Sequence, residues 1–345
     1  MTLDERKLQI LETIVREYIQ SAEPIGSRTL SKNPKMKISS ATIRNEMADL
    51  EEMGYLYQPH TSAGRVPSEK AYRLYVDQLM TIMEFGGILQ EEIKSVYNTY
   101  MDEFTEAIQR TARLLSRITS YTAFSMAPQA KHLNCKFIKL ILLGEMKVLL
   151  VLVTKERIVR NYVITLTQPA SEAILDKVGN VLNICLKDIT LYELNDSIMD
   201  KLDALTEEEK SLLLEMIPLL KEILIEEDRQ RVYADGLDKI FNFPEFADDI
   251  ERAKKFIETL NHQTLLAHKL TENIQRDLSI QIGEENVEEA FKDCSVVTAT
   301  YKIDGKPIGT FGVVGPTRMN YDYVVSVLDF LRKEFNAQIS RMIND

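Results

Sequence analysis

The sequence is poor in the residues and motifs that enzymes, exported proteins and metalloproteins depend on. Its three cysteines, Cys135, Cys185 and Cys294, lie far apart with no C-x-x-C spacing. That excludes a disulfide framework or a zinc cage and leaves reduced core thiols. There are four histidines, and His262 and His268 are six apart, a spacing that does not stack two ligands on one helix face, so no metal is expected. No G-x-S-x-G, H-E-x-x-H, P-loop or paired-glycine nucleotide fingerprint occurs. Only the grouping of His132, Cys135 and Cys185 speaks for a nucleophile, so neither an enzyme nor a cofactor is expected. The opening MTLDERKLQI is charged, unlike a signal peptide, and the apolar stretches near Phe137 and Val148 are broken by Lys139, Gly144, Glu145 and Lys147. A cytoplasmic chain that does not span the membrane is expected.

Basic excess is also missing: the net charge is −11. It is unevenly spread, however, because residues 1–75 carry eleven Lys/Arg against ten Asp/Glu and the remainder 31 against 43. Ser27 to Arg44, with Arg28, Lys32, Lys35, Lys37 and Arg44, contains no acidic residue. Local charge decides which face meets phosphate, so nucleic acid remains a partner for the N-terminal end.

That end reads as three helices and a hairpin. Leu8, Leu11, Ile14, Val15, Tyr18 and Ile19 make one apolar stripe over Leu3–Gln20. Ser27 starts a short helix to about Lys32, before Asn33-Pro34 interrupts. A third helix, Ser40 to Met53, has Ser39 as cap, Ile38 to staple onto Ile43, and Gly54 for its left-handed end. Tyr55-Leu56-Tyr57 and Arg65-Val66 flank a polar tip over residues 59–64, where Gly64 allows a conformation other residues resist. This is the order of a winged helix-turn-helix. A further helix, Ser68 to Met83, leads to a linker at Gly86-Gly87, which sets a first domain at 1–86.

At 345 residues the chain suits two or three domains. Gln90–Thr119 is one long amphipathic pattern. Cys135–Leu143, Val148–Thr154 and Arg157–Leu166 read as antiparallel strands, followed by a helix over Ser171–Leu186. Ser295–Ile303 and Pro307–Val314 flank the Asp304-Gly305 turn, and a last helix carries Val324, Leu328, Leu331 and Phe335. One sheet built from two distant segments, 87–192 and 276–345, is therefore expected, interrupted by a mainly helical insert over 193–275. In that insert a Thr206/Glu209 capping box opens a helix interrupted at Pro218. Its wide stripe, Leu212, Leu213, Met216, Leu219, Leu220, Ile223 and Leu224, fits either a subunit interface or core within the chain.

On the third helix Ile43, Met47 and Leu50 share the buried face, which turns Ala41, Thr42, Arg44, Asn45 and Ala48 outward or to the flanks. Arginine forks onto guanine, asparagine matches adenine, and small residues let a helix enter the major groove. Ser27, Arg28, Ser39 and Ser40 lie at helix N-termini, where N–H groups favour phosphate oxygens, and Lys35 and Lys37 add charge. His60, Ser62 and Arg65 are the hairpin-tip candidates, Arg65 foremost.

The segments PIGSRTL, ISSATIRNEMADLEEMGYLYQPHTSAGRVPSEKAYRLYVD, IGEEN and FGVVGPTRMNYDYVVSVL resemble the HrcA family of heat-inducible transcription repressors, from near residue 5 to near 340. Ser68 and Ala71 stand where the family usually has Thr and Gly. The resemblance implies an α+β, multidomain chain, namely an N-terminal winged helix, a GAF-like α/β sheet domain and a dimerising domain inserted into it. It also implies a homodimer on double-stranded DNA at an inverted-repeat CIRCE operator of chaperone operons, and dependence on the GroEL chaperonin. A marginally stable fold would then suffice to sense heat. The competing reading is a small-molecule sensor, with residues 310–323, around Gly312, Gly315 and Pro316, lining a pocket.

Overall fold

The computed structural model describes residues 3–34, 36, 38–100, 104–127, 135–155, 159–186, 205–229, 232–303 and 305–344. Helix α1, Glu5–Ser21, starts at Asp4, whose carboxylate accepts from Lys7 N at 2.8 Å. Helix α2, Ser27–Ser31, is capped by Gly26 rather than Ser27, so the Ser27 hydroxyl is left for a tertiary bond. Helix α3, Ser40–Glu52, has the expected ends: Ser39 Oγ accepts from Thr42 N at 3.2 Å, and Gly54 takes φ +77°. Ile10, Leu11, Ile14 and Val15 of α1 bury against Leu30, Ile43, Met47 and Leu50. The two-residue strands β1, Leu56–Tyr57, and β2, Val66–Pro67, close the unit as an antiparallel pair.

The helix expected over Ser68–Met83 is shorter. Helix α4, Glu69–Leu74, widens into a π turn at Tyr75–Leu79, and the chain then runs without regular structure to Gly86. The reason is tertiary. Asp322 Oδ1 takes the Thr81 N–H and Ser326 Oγ the Met83 N–H, both at 2.8 Å, which replaces the bonds a helix would have made. The long pattern after it is two helices, α5, Gly87–Tyr100, and α6, Phe104–Thr119, packed together with Thr111 Oγ1 donating to Tyr97 OH at 3.2 Å.

The single split sheet is corrected in part, because a strand of 87–192 does join those of 276–345, but the described strands form two larger sheets. Strands β3 (Thr122–Met126), β7 (Val232–Asp235), β8 (Leu278–Ile282), β9 (Cys294–Ile303) and β10 (Lys306–Pro316) make an antiparallel sheet in the order β7-β3-β10-β9-β8. Strands β4 (Cys135–Gly144), β5 (Lys147–Thr154) and β6 (Val159–Thr165) make a separate three-stranded sheet. The excursion between β3 and β7 thus runs over 127–231, and its described residues hold strands as well as helices, where a mainly helical insert over 193–275 was expected. It contains α7, Glu172–Cys185, capped by Ser171, and α8, Glu207–Arg229, which continues through Pro218. Thr206 and Glu209 exchange the two bonds of the capping box, at 2.9 and 3.4 Å. Leu212, Leu213, Met216 and Leu220 of α8 are buried with Leu150, Leu152 and Val178, which makes this stretch core within the chain.

Both faces of the five-stranded sheet are covered. Helices α5, α6 and the C-terminal α12, Tyr321–Asn344, lie on one side, where Phe335 meets Tyr97, Tyr301 and Phe311. On the other side, Phe246 of α9 (Pro244–Ala247), Phe256 of α10 (Ile250–Asn261) and Leu270 of α11 (Gln263–Thr271) pack on Phe124, Val296 and Val314. The apolar cluster of the N-terminal unit runs unbroken into the first of these layers. Polar ties reinforce it: the Arg73 fork on Glu285 at 2.8 and 3.0 Å, its Nη2 on Ile280 O, and Arg318 Nη1 on Ile19 O at 3.1 Å. Among the described residues no helix is long and apolar enough to cross a membrane.

Candidate nucleic-acid interface

Helices α2 and α3 begin side by side, with Ser27 Oγ and Ser40 Oγ 3.1 Å apart. Because Ile43, Met47 and Leu50 hold α3 down, Ala41, Arg44, Asn45 and Ala48 are exposed, as is Arg28 on α2. Among the described residues no ion pair engages Arg28 or Arg44, so both guanidinium groups are free for an external anion. The acids on α3 are treated differently. Glu46 is paired with Lys7 Nζ at 2.6 Å and Arg6 at 3.5 Å, Asp49 with Lys7 at 3.0 Å, and Glu51 with Arg65 at 2.8 Å. The hydrogen bond that Lys7 donates to Glu46, then that to Asp49, holds its ammonium well above its ordinary range. Three of the carboxylates that would repel phosphate are therefore neutralised from within, and the free positive charge sits at the N-terminal half of the helix.

Several of the expected site residues already have local work. Ser39 caps α3 and its hydroxyl lies 3.0 Å from that of Thr42, so both are engaged at the helix start. His60 and Ser62 are exposed in the loop between β1 and β2, which Gln58 braces by donating from Nε2 to Thr61 O and Ala63 O at 3.0 and 2.9 Å. Arg65 is displaced from its expected place: it stands at the root of the hairpin rather than its tip, pairing both ways with Ile25 at 2.8 and 2.9 Å. Lys35 and Lys37 lie outside the described residues. Lys7, Arg6 and Gln58 were not legible as site residues, since their partners lie on other elements or in loop carbonyls.

Gly64 is required for a reason other than its torsion angles. A Cβ there would fall 2.5 Å from the Ile25 carbonyl carbon and oxygen, and the backbone conformation is not left-handed. Gly64→Ala is expected to cost roughly 1–3 kcal/mol through overpacking against main chain. Loss of slow amide exchange at Ile25, together with a lower urea midpoint, would register that cost; a wild-type exchange profile would contradict it.

Other chemistry finds little support. Burial pushes the Cys135 thiol up to about 12 and the Cys294 thiol higher still, so neither supplies a thiolate. His132 lies outside the described residues, and His268 is exposed with Nδ1 3.2 Å from Glu288. Of the pocket residues 310–323, those at 310–316 belong to the central strand β10, where a Cβ on Gly315 would meet the Tyr121 ring at 2.5 Å, and 321–323 begin α12. That space is filled by core.

Fold and site define a multidomain α+β protein that presents a cationic helix face on a small N-terminal unit. Residues 105–325 match the HrcA protein C terminal domain. The chain is 41% identical to the heat-inducible transcription repressor HrcA of Ruminiclostridium cellulolyticum, with 100% of both chains covered. It is 40% identical to that of Clostridium tetani, over 97% of this chain and 95% of the relative. A hypothetical protein with a 2.2 Å crystal structure shares the fold, with a TM-score of 0.65 at 23% identity over 99% of each chain. The chain belongs to the HrcA family of heat-inducible transcription repressors.

Proposed function

We propose that the chain is a cytoplasmic, dimeric repressor of heat-shock (chaperone) operons that binds an inverted-repeat CIRCE-type operator. In this reading α1 to α3 and the β1–β2 hairpin form a winged helix whose third helix enters the major groove. The observation that carries it is the outward face of α3, where Arg44 and Asn45 are exposed between two alanines while three of the four acids behind them are paired. Ser27, Arg28, Ser39, Ser40 and Thr42, with Lys35 and Lys37, would meet the phosphates, and His60 and Ser62 the flanking groove.

An inverted repeat calls for a two-fold reader. The outer face of the three-stranded sheet supports one: Phe137, Val153 and Val159 form one cross-strand row and Ile141, Leu149 and Val163 another, with Phe137, Ile141, Val159 and Val163 exposed. A second copy of this chain is the proposed occupant. Dependence on the GroEL chaperonin is supported by topology, because β3 and β7 are neighbours that pair only after the whole excursion 127–231 has been made. Such non-local pairing is slow and exposes apolar surface.

Fluorescence titration of operator and scrambled duplexes tests the reading. Arg44→Ala and Asn45→Ala are each expected to cost roughly 1–3 kcal/mol of discrimination per half-site. Arg28→Ala should weaken both duplexes alike and reduce the salt slope by about 1. Unchanged discrimination in both α3 variants would remove the helix from the groove.

A further inference from the structure

The arginine that ends the wing loop is the residue one would first assign to DNA, and its surroundings argue otherwise. Arg65 Nη2 reaches Glu51 Oε2 at 2.8 Å, and only 21% of its side chain is exposed. Its Nε is buried with no hydrogen-bond partner among the described residues, so the guanidinium is embedded in the hairpin root rather than extended from it. Its main chain exchanges both hydrogen bonds with Ile25, the residue leading into α2. Two further ties join the same places: Ser68 Oγ donates to Gly54 O at 2.7 Å and Lys70 Nζ to Met53 O at 2.8 Å. The C-terminal end of α3 is thus strapped to the strand that returns from the wing, and Arg65 is the strap nearest the loop.

We infer that Arg65 is a positioning residue, which through Glu51 fixes the angle of the wing to the recognition helix, and not a phosphate or base ligand. The inference rests on the DNA-binding reading proposed above. The two roles predict opposite responses to Glu51. If Arg65 were a phosphate ligand, Glu51 would compete for it, and Glu51→Gln would tighten binding. If Arg65 positions the wing, Glu51→Gln and Arg65→Ala weaken operator binding to the same extent, about two- to fivefold for a partly exposed pair. The double variant should be no weaker than either single one.

The experiment is a double-mutant cycle on the full-length protein with the inverted-repeat operator, read by titration at several salt concentrations and by hydroxyl-radical footprinting. Expected are a salt slope unchanged in all three variants, loss of the protections made by the wing, and retention of those made by α3. Tighter binding by Glu51→Gln, or a slope lowered by about 1 in Arg65→Ala, would overturn the inference. Amide exchange at Ile25 and Arg65 in DNA-free protein gives a second test, one independent of DNA. Faster exchange in Glu51→Gln supports the strap even if wild type shows no operator preference, and unchanged exchange removes it.

Discussion

Asp322→Ala is expected to destabilise the chain by about 3 kcal/mol, the lower end of what breaking a buried charge pair costs. The carboxylate is 6% exposed and serves three elements at once. It takes Arg16 Nη1 of α1 at 3.1 Å, the Tyr75 hydroxyl of the π turn, and the Thr81 N–H of the segment after it at 2.8 Å. Its removal leaves a buried phenol and a main-chain N–H without their acceptor, while Arg16 keeps Glu12 at 3.0 Å, which moderates the loss. Burial and the Asp322 carboxylate together push the Tyr75 phenol well above its ordinary range, so that group stays a donor at all accessible pH. Because the three donors all come from the N-terminal unit and its connection, the loss should be local first. Amide exchange at Thr81 should accelerate at denaturant concentrations where β9 and β10 remain protected. Equal exchange at Thr81 in variant and wild type would show that the Asp322 carboxylate does not hold the connection.

Phe335→Ala should cost more, about 3–5 kcal/mol, by opening a cavity that its neighbours cannot refill. The ring is fully buried and lies 4.8 to 5.2 Å from the rings of Tyr301, Phe311 and Tyr97, which come from β9, β10 and α5. Tyr301 is itself fixed by donating to Met126 O at 2.6 Å, and Gly309 leaves space for that phenol, since a Cβ there would meet it at 2.0 Å. None of these rings has freedom to move into the void. Urea unfolding reports the stability change directly, and under the proposed repressor function the loss should appear as derepression at a lower temperature. A variant with wild-type stability would mean that α12 is not seated in this core.

What was legible in the sequence was local. Ser39, Gly54 and the Thr206/Glu209 box mark helix ends within a few residues, and each is found. The outward face of α3 follows from helical spacing and is equally plain. Strands β4 to β6 were visible as antiparallel apolar runs and do pair with one another, but their separation from β9 and β10 was not, because strands distant in sequence leave no trace of their partners in their own residues. The end of the helix at Leu79 was hidden because its cause, Asp322, is 241 residues away from Thr81. Arg65 looked like a free tip for the same reason, since Glu51, on another element, determines where its charge goes. Ser27 read as a cap because serine favours that position, yet Gly26 fills it and Ser27 bonds to Ser40 instead.

In the proposed function α3 reads an inverted repeat. Its most direct test is titration of the wild-type, chaperonin-matured protein against labelled inverted-repeat and scrambled duplexes across a salt series. The expected result is operator binding tighter by at least about a thousandfold at physiological salt, as for specific DNA readers, with both affinities falling as salt rises. Equal, weak and steeply salt-dependent binding to the two duplexes would contradict it and leave α3 with phosphate contacts alone.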